Sequence, residues 1–274
     1  MNIKKLVQEI KKSKKYKDIS EEVIENKIKN YSEKNIGFDE KAIVKGVKAL
    51  LHDIHSSFQV STRKVKERDE LFKQLEKEPK SIDIIKKILA TNKSTHERLS
   101  VYSELYARIF EITGKPRNIM DLGCGLNPVS LPFMAIYPEN YYCYDINESD
   151  TRFLNNFFKI SKAFGVAKNL DLSNIENIKK LPSDIDICFM FKLIDTLEKE
   201  KGREGHKYSE EIIKILAEKC KFIVISFATR TISGREMNYP QRGWIERMLE
   251  RIGMKFEKIY FNEAGEVFYV VRRM

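Results

Sequence analysis

The sequence predicts an α/β protein in which an all-helical N-terminal region precedes a mostly parallel sheet of seven strands. Over about residues 1–114, glycine and proline are nearly absent and apolar residues recur at helical spacing. From about Lys115 onward, short apolar runs alternate with helical patterns, which is typical of a parallel sheet with helices on both faces. We therefore expect two domains, residues 1–114 and residues 115–274.

Two helix starts are recognisable in the N-terminal region. Ser20 precedes two glutamates and Ser81 precedes Asp83, a pattern typical of an N-cap followed by acidic residues in the first turn. Residues 63–80 are dense in charge and end near Pro79. This segment is predicted to be either an exposed helix or a mobile connection.

Five apolar runs in the second half are each followed by a helical pattern and predict five parallel strands. Two further runs flank the turn residues 262–265 and predict a terminal β-hairpin. An ordinary dinucleotide-binding fold would instead continue with parallel strands. The predicted strands are residues 118–122, 141–146, 165–170, 185–191, 222–227, 255–261 and 266–271.

Composition argues against several classes of protein. The chain has 274 residues, 42% of them hydrophobic, which is enough for a sizeable core. Its four cysteines form no Cys-x-x-Cys pair, so we expect reduced, mostly buried thiols rather than a zinc site or disulfides. No apolar run reaches the roughly 18 residues of a membrane helix, and the first 15 residues mix apolar residues with lysines. We expect a cytoplasmic protein with no membrane partner.

The basic surplus lies in the N-terminal region. The net charge is +10; residues 1–100 contain 24 Lys and Arg against 16 Asp and Glu, whereas residues 101–274 contain 26 against 24. Such a region suits a polyanion, because each Lys or Arg at a phosphate releases condensed counterions. The alternative is a solvated, lysine-rich helical surface.

The sharpest motif follows the first predicted strand and reads Asp121-Leu-Gly-Cys-Gly-Leu-Asn-Pro. Glycines at such a turn let a ligand approach the backbone, and the next helix offers free N–H groups at its N-terminus. Pro128 stands where a nicotinamide site would carry a third glycine, so the dinucleotide fingerprint is incomplete. The motif therefore predicts a ligand site at this turn without assigning a nicotinamide to it.

Acidic residues end the next two predicted strands. Asp145 is placed to accept hydrogen bonds from two ribose hydroxyls, since a carboxylate only accepts. Asp171 is placed to contact an adenine amino group, with a helix N-cap as the alternative. Together with the glycine turn, these acids predict a site for an adenosine-containing ligand.

The glycine motif and the two acids resemble the class I S-adenosylmethionine-dependent methyltransferases, which have a seven-stranded Rossmann-like sheet. Four further segments, in order along the chain, narrow the resemblance to one family within this class. They are residues 96–99 (HERL) and 104–110 (ELYARIF) before DLGCGLNP, and residues 191–193 (FKL) and 226–235 (SFATRTISGR) after it. They are similar to the 16S rRNA guanine-N7 methyltransferases of the aminoglycoside-resistance type. The resemblance implies S-adenosyl-L-methionine as the cofactor. The predicted cofactor-binding residues are Arg98, Asp121, Gly123, Gly125, Asn127, Asp145, Ile146, Asp171 and Leu172.

The implied reaction is methyl transfer to N7 of a guanine in the decoding region of 16S rRNA. Guanine N7 has an in-plane lone pair and no proton to lose, so this reaction needs alignment and desolvation more than a general base. Phe191 is predicted to be catalytic, as the aromatic residue facing the base or the cofactor, with a place in the core as the alternative. Lys192 and Arg230 are predicted to be catalytic and Arg235 to bind RNA, through phosphate or guanine O6, with ion pairing to nearby acids as the alternative.

The basic N-terminal region is predicted to dock on the small ribosomal subunit through phosphate contacts. Other interpretations stay open: a ribosome-associated binding or assembly module that retains a cofactor site, a methyltransferase for another rRNA position, or one for a small molecule. The intact Gly123, Gly125 and Asp145 favour an enzyme over a binding module. We expect the protein to be a monomer. The predicted RNA-binding residues of this region are Lys4, Lys5, Lys11, Lys12, Lys14, Lys15, Arg63, Lys64 and Lys66.

Overall fold

The computed structural model describes residues 1–55, 62–200, 206–231 and 242–274. Helices in these ranges are α1 (Ile3–Lys11), α2 (Glu21–Lys34), α3 (Glu40–His55), α4 (Thr62–Lys77), α5 (Ile82–Ala90), α6 (Lys93–Glu97), α7 (Tyr102–Thr113), α8 (Glu148–Ser161), α9 (Ile175–Lys179), α10 (Ile194–Glu200), α11 (Lys207–Lys219) and α12 (Gly243–Arg251). Strands are β1 (Asn118–Leu122), β2 (Asn140–Asp145), β3 (Gly165–Asn169), β4 (Ile185–Phe191), β5 (Cys220–Ala228), β6 (Met254–Phe261) and β7 (Glu266–Arg273).

The seven described strands form one sheet in the order β3-β2-β1-β4-β5-β7-β6. Strands β1 to β5 pair in parallel, and β7 is antiparallel to both β5 and β6. The predicted fold class is thus confirmed: parallel strands come first, and a terminal hairpin inserts its second strand beside β5. Because the order reverses between β1 and β4, the carboxyl edge of the sheet has a crevice at β1, where ligands bind in such folds.

Strand β4 shows why the sheet is buried on both faces. Its sequence, IDICFMF, is buried at every position except the second. Ile187, Phe189 and Phe191 belong to one apolar cluster, whereas Cys188 and Met190 belong to another. Successive side chains of a strand point to opposite faces, so a continuous apolar run requires cover on both.

The helices before the sheet pack in two groups. Helices α1, α2 and α3 form an apolar cluster of their own, centred on residues such as Ile10, Ile24 and Leu51. Apolar residues of α4, α5 and α7, among them Leu75 and Tyr106, instead join the cluster on one face of the sheet. The predicted division at residue 114 follows the change from helices to strands, whereas these clusters group α4, α5 and α7 with the sheet. The two-domain description stays a prediction.

The charge-dense segment of residues 63–80 is the helix α4, one of the two alternatives that the sequence allowed. The helix is exposed on one side only, because Leu71, Leu75 and Arg68 are buried. Its apolar residues pack on the sheet cluster, and Arg68 forms an ion pair with Asp150 of α8. Spacings of three and four residues put these buried side chains on one face of the helix.

Several smaller expectations have mixed outcomes. All four cysteines are free and buried, as predicted. Ser20 and Ser81 stand at the N-cap positions of α2 and α5, but neither side chain makes a capping hydrogen bond. After β1 the expected helix is a 3-10 helix, Asn127–Met134, which contains Pro132. In the described ranges, no helix is both long and apolar enough to cross a membrane.

Packing of α4 makes a stability prediction. Leu75 has no exposed surface, so Leu75→Ala should lower the free energy of unfolding by about 2–5 kcal/mol through lost burial and a cavity. Lys73→Ala, on the exposed side of the same helix, should change it by less than about 0.5 kcal/mol. Urea denaturation measures both values. A loss below about 1 kcal/mol for Leu75→Ala would show that α4 does not pack on the sheet.

Candidate cofactor and active site

A cavity lies at the carboxyl edge of the sheet, at the ends of β1 to β4. The turns and helices that follow these strands supply much of its wall, and the region before the sheet supplies the rest, including Lys14, Lys15 and Lys27. The parallel strands bring together residues that are far apart in sequence, as their carboxyl ends share one edge. The predicted site residues that line the cavity are Arg98, Gly123, Gly125, Asn127, Asp145, Ile146, Asp171, Leu172, Phe191 and Lys192.

The turn after β1 requires glycine at two positions. Gly123 has φ of +64° and Gly125 has φ of +48°, a region that side chains disfavour. A Cβ atom at Gly123 would stand 2.8 Å from Cδ1 of Leu193, which is too close. The Gly123 N–H donates to the carbonyl oxygen of Tyr144 at 2.8 Å, which holds the turn against β2. The turn therefore leaves a narrow space that a side chain would fill.

Asp145 ends β2 and is held by backbone groups. Oδ2 accepts from the N–H of Gly125 at 2.9 Å, and Oδ1 accepts from the N–H of Asn147 at 3.0 Å. Burial raises the pKa of Asp145 to about 6, and the nearby Asp150 adds to this rise while the N–H bonds oppose it. Each oxygen keeps a further lone pair in the cavity wall, so the carboxylate fits the predicted contact with ribose hydroxyls.

Asp121 was predicted to contact the cofactor, but its carboxylate lies behind the glycine turn and does not line the cavity. Its Oδ2 accepts from Nδ2 of Asn127 at 2.8 Å and from the hydroxyl of Tyr141 at 3.1 Å. Burial raises the pKa of Asp121 to about 7 in spite of these two hydrogen bonds. Asp121 thus supports Asn127, which does line the cavity, and a direct cofactor contact stays a prediction.

Asp171 lies in the cavity wall after β3. Oδ1 accepts from the N–H of Ser173 at 3.0 Å and from its hydroxyl at 2.7 Å, and Nζ of Lys27 stands 3.1 Å away. Oδ2 is buried and has no hydrogen-bond partner among the described residues. The alternative of a helix N-cap is not what the structure has, because Asn174 caps α9. A buried acceptor without a donor fits a ligand that carries an amino group.

A network of charged groups closes the other end of the cavity. Arg98 donates from Nε and Nη2 to the two carboxylate oxygens of Glu266, each at 2.9 Å. Nζ of Lys192 lies 2.6 Å from Glu97 and 3.3 Å from Glu266, and the hydroxyl of Ser226 also donates to Glu266. Burial would raise the pKa of Glu266, but the charges of Arg98 and Lys192 outweigh it and hold that pKa below its usual value.

Phe191 takes part in both the core and the cavity wall. Its ring meets the edge of Phe268 with centroids 5.3 Å apart, and the Arg98 guanidinium lies 4.8 Å from its centroid. The side chain also lines the cavity beside Lys192. The two alternatives considered for this residue are therefore compatible, because one face packs while another part borders the site.

Other predicted residues lie elsewhere. Arg230 is exposed after β5, packs against Gly265 and does not line the cavity. Lys192 lines the cavity but is ion-paired with Glu97 and Glu266, which is the alternative named for it. Arg235 lies outside the described residues. The catalytic and RNA-binding roles of these residues stay predictions.

The lysines and arginine predicted to bind RNA are exposed, with one exception. Lys11 is mostly buried and lies 3.7 Å from Glu21 and 3.5 Å from Glu148. Lys14 and Lys15 line the cavity as well as the surface, so the basic helical region reaches the candidate site. The exposed members are Lys4, Lys5, Lys12, Lys14, Lys15, Arg63, Lys64 and Lys66.

The sequence reasoning missed Lys27, Arg68 and Glu266. Lys27 carried a usable signal, because it follows Val23 and Ile24 at apolar helical spacing and so lies on the buried face of α2. Arg68 carried a similar signal, three residues before Leu71. Glu266 begins β7, and the sequence pattern gave no reason to place it next to Arg98.

Comparison with known proteins places the chain in a family. The model of the family described as "Ribosomal RNA methyltransferase (FmrO)" matches residues 12–270. A 16S rRNA (guanine(1405)-N(7))-methyltransferase of Proteus mirabilis is 28% identical over 243 residues, which are 87% of this chain and 78% of that protein.

Solved structures of 16S rRNA methyltransferases are similar over the whole chain. The 16S rRNA methyltransferase RmtF, in complex with S-adenosyl-L-homocysteine, has a TM-score of 0.79 and 22% identity, covering 100% of both chains. The 16S rRNA methylase RmtB has a TM-score of 0.76 and 22% identity, covering 100% of this chain and 99% of that one. At these identities, the likeness shows the fold.

The sheet order, the glycine turn and the acids after β2 and β3 define a class I S-adenosylmethionine-dependent methyltransferase. Within that class, the family match spans nearly the entire sequence. The chain belongs to the ribosomal RNA methyltransferase (FmrO) family.

Asp145 predicts how cofactor binding depends on pH. Ribose hydroxyls donate to the ionised carboxylate, and its pKa is about 6, so the affinity for S-adenosylhomocysteine should be constant above pH 7 and fall as pH drops below 6. At pH 5 we expect binding about tenfold weaker, measured by titration calorimetry.

Asp145→Asn is the matched control for this titration. It should bind S-adenosylhomocysteine more weakly but with little change between pH 5 and 8, because Asn does not titrate in this range. Asp121, with a pKa of about 7, is unchanged in the variant. Any pH dependence of binding that remains in the variant would therefore come from Asp121 and not from Asp145. A wild-type affinity that stays flat from pH 8 to pH 5 would remove Asp145 from the ribose site.

Proposed function

We propose that this protein transfers a methyl group from S-adenosyl-L-methionine to N7 of a guanine in the decoding region of 16S rRNA. The observation that carries this proposal is the cavity itself, whose wall combines the glycine turn and Asp145 with lysines of the basic helical region. The specific position is supported by curated relatives, such as that of Proteus mirabilis, whose names give guanine 1405 and N7. Members of the resembled family confer aminoglycoside resistance, and we propose the same consequence here.

The residues of the cavity suit this chemistry. S-adenosyl-L-methionine supplies an electrophilic methyl group when bound, and guanine N7 supplies a lone pair without releasing a proton. The protein's task is therefore to align the two groups and exclude water. Phe191 places an aromatic side chain at the cavity, and its ring packs against Arg98 and Phe268.

The target guanine must be made accessible before it can react. N7 lies in the deep major groove of an RNA helix, which side chains read poorly, so the base has to leave the stack or the helix has to be distorted. We propose that Lys192 and Arg230 act on the extruded nucleotide and that Arg235 contacts the RNA. For Lys192 this requires that its ion pair with Glu97 or Glu266 is replaced by a contact with a phosphate or with guanine O6.

The exposed lysines and Arg63 are proposed to hold the small ribosomal subunit through phosphate contacts. Lys14 and Lys15, which follow α1, are exposed and also line the cavity. RNA that contacts α1 and these two lysines therefore extends to the site. Phosphate contacts set the register, and the pocket selects the base. We propose that a single copy of the chain acts in this way in the cytoplasm.

A methyl-transfer assay tests the proposed function. Purified small ribosomal subunits are incubated with radiolabelled S-adenosyl-L-methionine and the enzyme, and N7-methylguanine is mapped by borohydride and aniline cleavage of the rRNA. We expect label in the subunit and a single cleavage in the decoding region. Label without cleavage would contradict the N7 assignment, and the absence of label on subunits and on naked rRNA would favour a binding module.

RNA binding through Lys14 and Lys15, which lie in the turn after α1, predicts a change in salt dependence. Lys14→Gln/Lys15→Gln should weaken binding to the subunit and reduce the slope of log K against log salt by about 1.4–1.8, since each phosphate contact contributes roughly 0.7–0.9. Lys179→Gln/Lys180→Gln, an exposed pair outside the predicted patch, should leave the slope unchanged. Filter binding over a range of KCl concentrations measures this. Equal slopes in all three proteins would show that Lys14 and Lys15 are only solvated surface.

A further inference from the structure

The helical region places one lysine deep in the cavity wall. Lys27 of α2 is 4% exposed, although lysine is rarely buried unless paired. Its Nζ stands 3.1 Å from Oδ1 of Asp171 and also donates to the hydroxyl of Ser173. Both partners belong to the segment that follows β3, 144 or more residues along the chain. The ammonium group therefore links the helical region to the cavity itself.

Hydrogen bonding around Asp171 is one-sided. Oδ1 receives the N–H and the hydroxyl of Ser173 as well as the ammonium group of Lys27, which exhausts its lone pairs. Oδ2 receives nothing from the described residues and is buried. An unsatisfied buried carboxylate oxygen is costly, so this arrangement calls for a donor from a ligand.

We propose that Lys27 is a positioning residue for recognition of the purine. Lys27 holds the Asp171 carboxylate in place through Oδ1, so that Oδ2 accepts a hydrogen bond from the exocyclic amino group of adenine. The inference rests on the proposed function, because the purine in question is that of S-adenosyl-L-methionine. It gives the helical region a place in the cofactor site in addition to its proposed contacts with RNA.

A second buried ion pair also joins the helical region to a residue of the cavity wall. Arg68 of α4 pairs with Asp150 at 2.6 Å and joins the same helical region to α8. Asp150, unlike Asp171, has no buried oxygen left unpaired. Loss of Arg68 should therefore affect stability without affecting which purine is bound, which makes Arg68 a matched control for Lys27.

The experiment compares two ligands by titration calorimetry: S-adenosylhomocysteine, and its analogue with hydrogen in place of the purine 6-amino group. Wild-type protein should prefer the amino compound by roughly tenfold to a hundredfold, as a hydrogen bond to a charged acceptor does. In Lys27→Met this ratio should fall towards one, and Lys27→Arg should restore most of it. Arg68→Met and Lys29→Met, the latter exposed on α2, should keep the wild-type ratio.

Asp171→Asn guards against a Lys27→Met protein that fails to fold. It should lose the preference with Lys27 in place, and adding Lys27→Met to it should cause no further change in the ratio, because the two residues act through one hydrogen bond. Thermal unfolding is recorded for every variant, so that stability is read separately from the ratio.

The outcomes separate the two proposals. A Lys27→Met protein, alone or with Asp171→Asn, that retains the preference would overturn the role of Lys27 and leave the methyltransferase function untouched. If Lys27→Met weakened the binding of both ligands by the same factor, Lys27 would have a structural role, and this result too would overturn the inference. Wild-type protein that does not bind S-adenosylhomocysteine at all would overturn the proposed function together with this inference.

Discussion

Burial of carboxylates beside the cavity is the constraint on which the rest of the structure depends. A buried carboxylate is tolerated only where charges or hydrogen bonds compensate its loss of water. In the described part of the chain, three of these acids are compensated by cations that come from the residues preceding the sheet. The helical region is thus electrostatically part of the site. The pairs are Lys27 with Asp171, Arg68 with Asp150, and Arg98 with Glu266.

These pairs specify the arrangement of the chain more than they stabilise it. A buried ion pair often contributes little net free energy, but removal of one partner costs about 3–5 kcal/mol because a charge is left without compensation. The apolar clusters on the two sheet faces and among α1 to α3 supply the main stabilisation. The ion pairs then select one orientation of the helices against the carboxyl edge, since any other orientation would leave charges unpaired.

Local patterns were sufficient to predict the sheet, and strand ends were sufficient to predict much of the site. Strand β4 is a continuous apolar run, and Asp145 and Asp171 were located because parallel strands end at one edge. The sequence could not show that Asp121 turns away from the cavity, because its partner Tyr141 lies on another strand. Nor could it pair Arg98 with Glu266, since contacts across 168 residues depend on how whole elements pack.

Asp145 differs from the paired acids in what holds it. The N–H groups of Gly125 and Asn147 orient its carboxylate, and both belong to the part of the chain that contains the sheet. Asp171 is held by Ser173 and, in addition, by Lys27, which belongs to the helical region. In the proposed site the ribose is therefore recognised by a carboxylate that backbone N–H groups orient, and the purine by a carboxylate that a lysine of α2 helps to orient. A displacement of α2 against the sheet would accordingly disturb recognition of the purine before it disturbed recognition of the ribose.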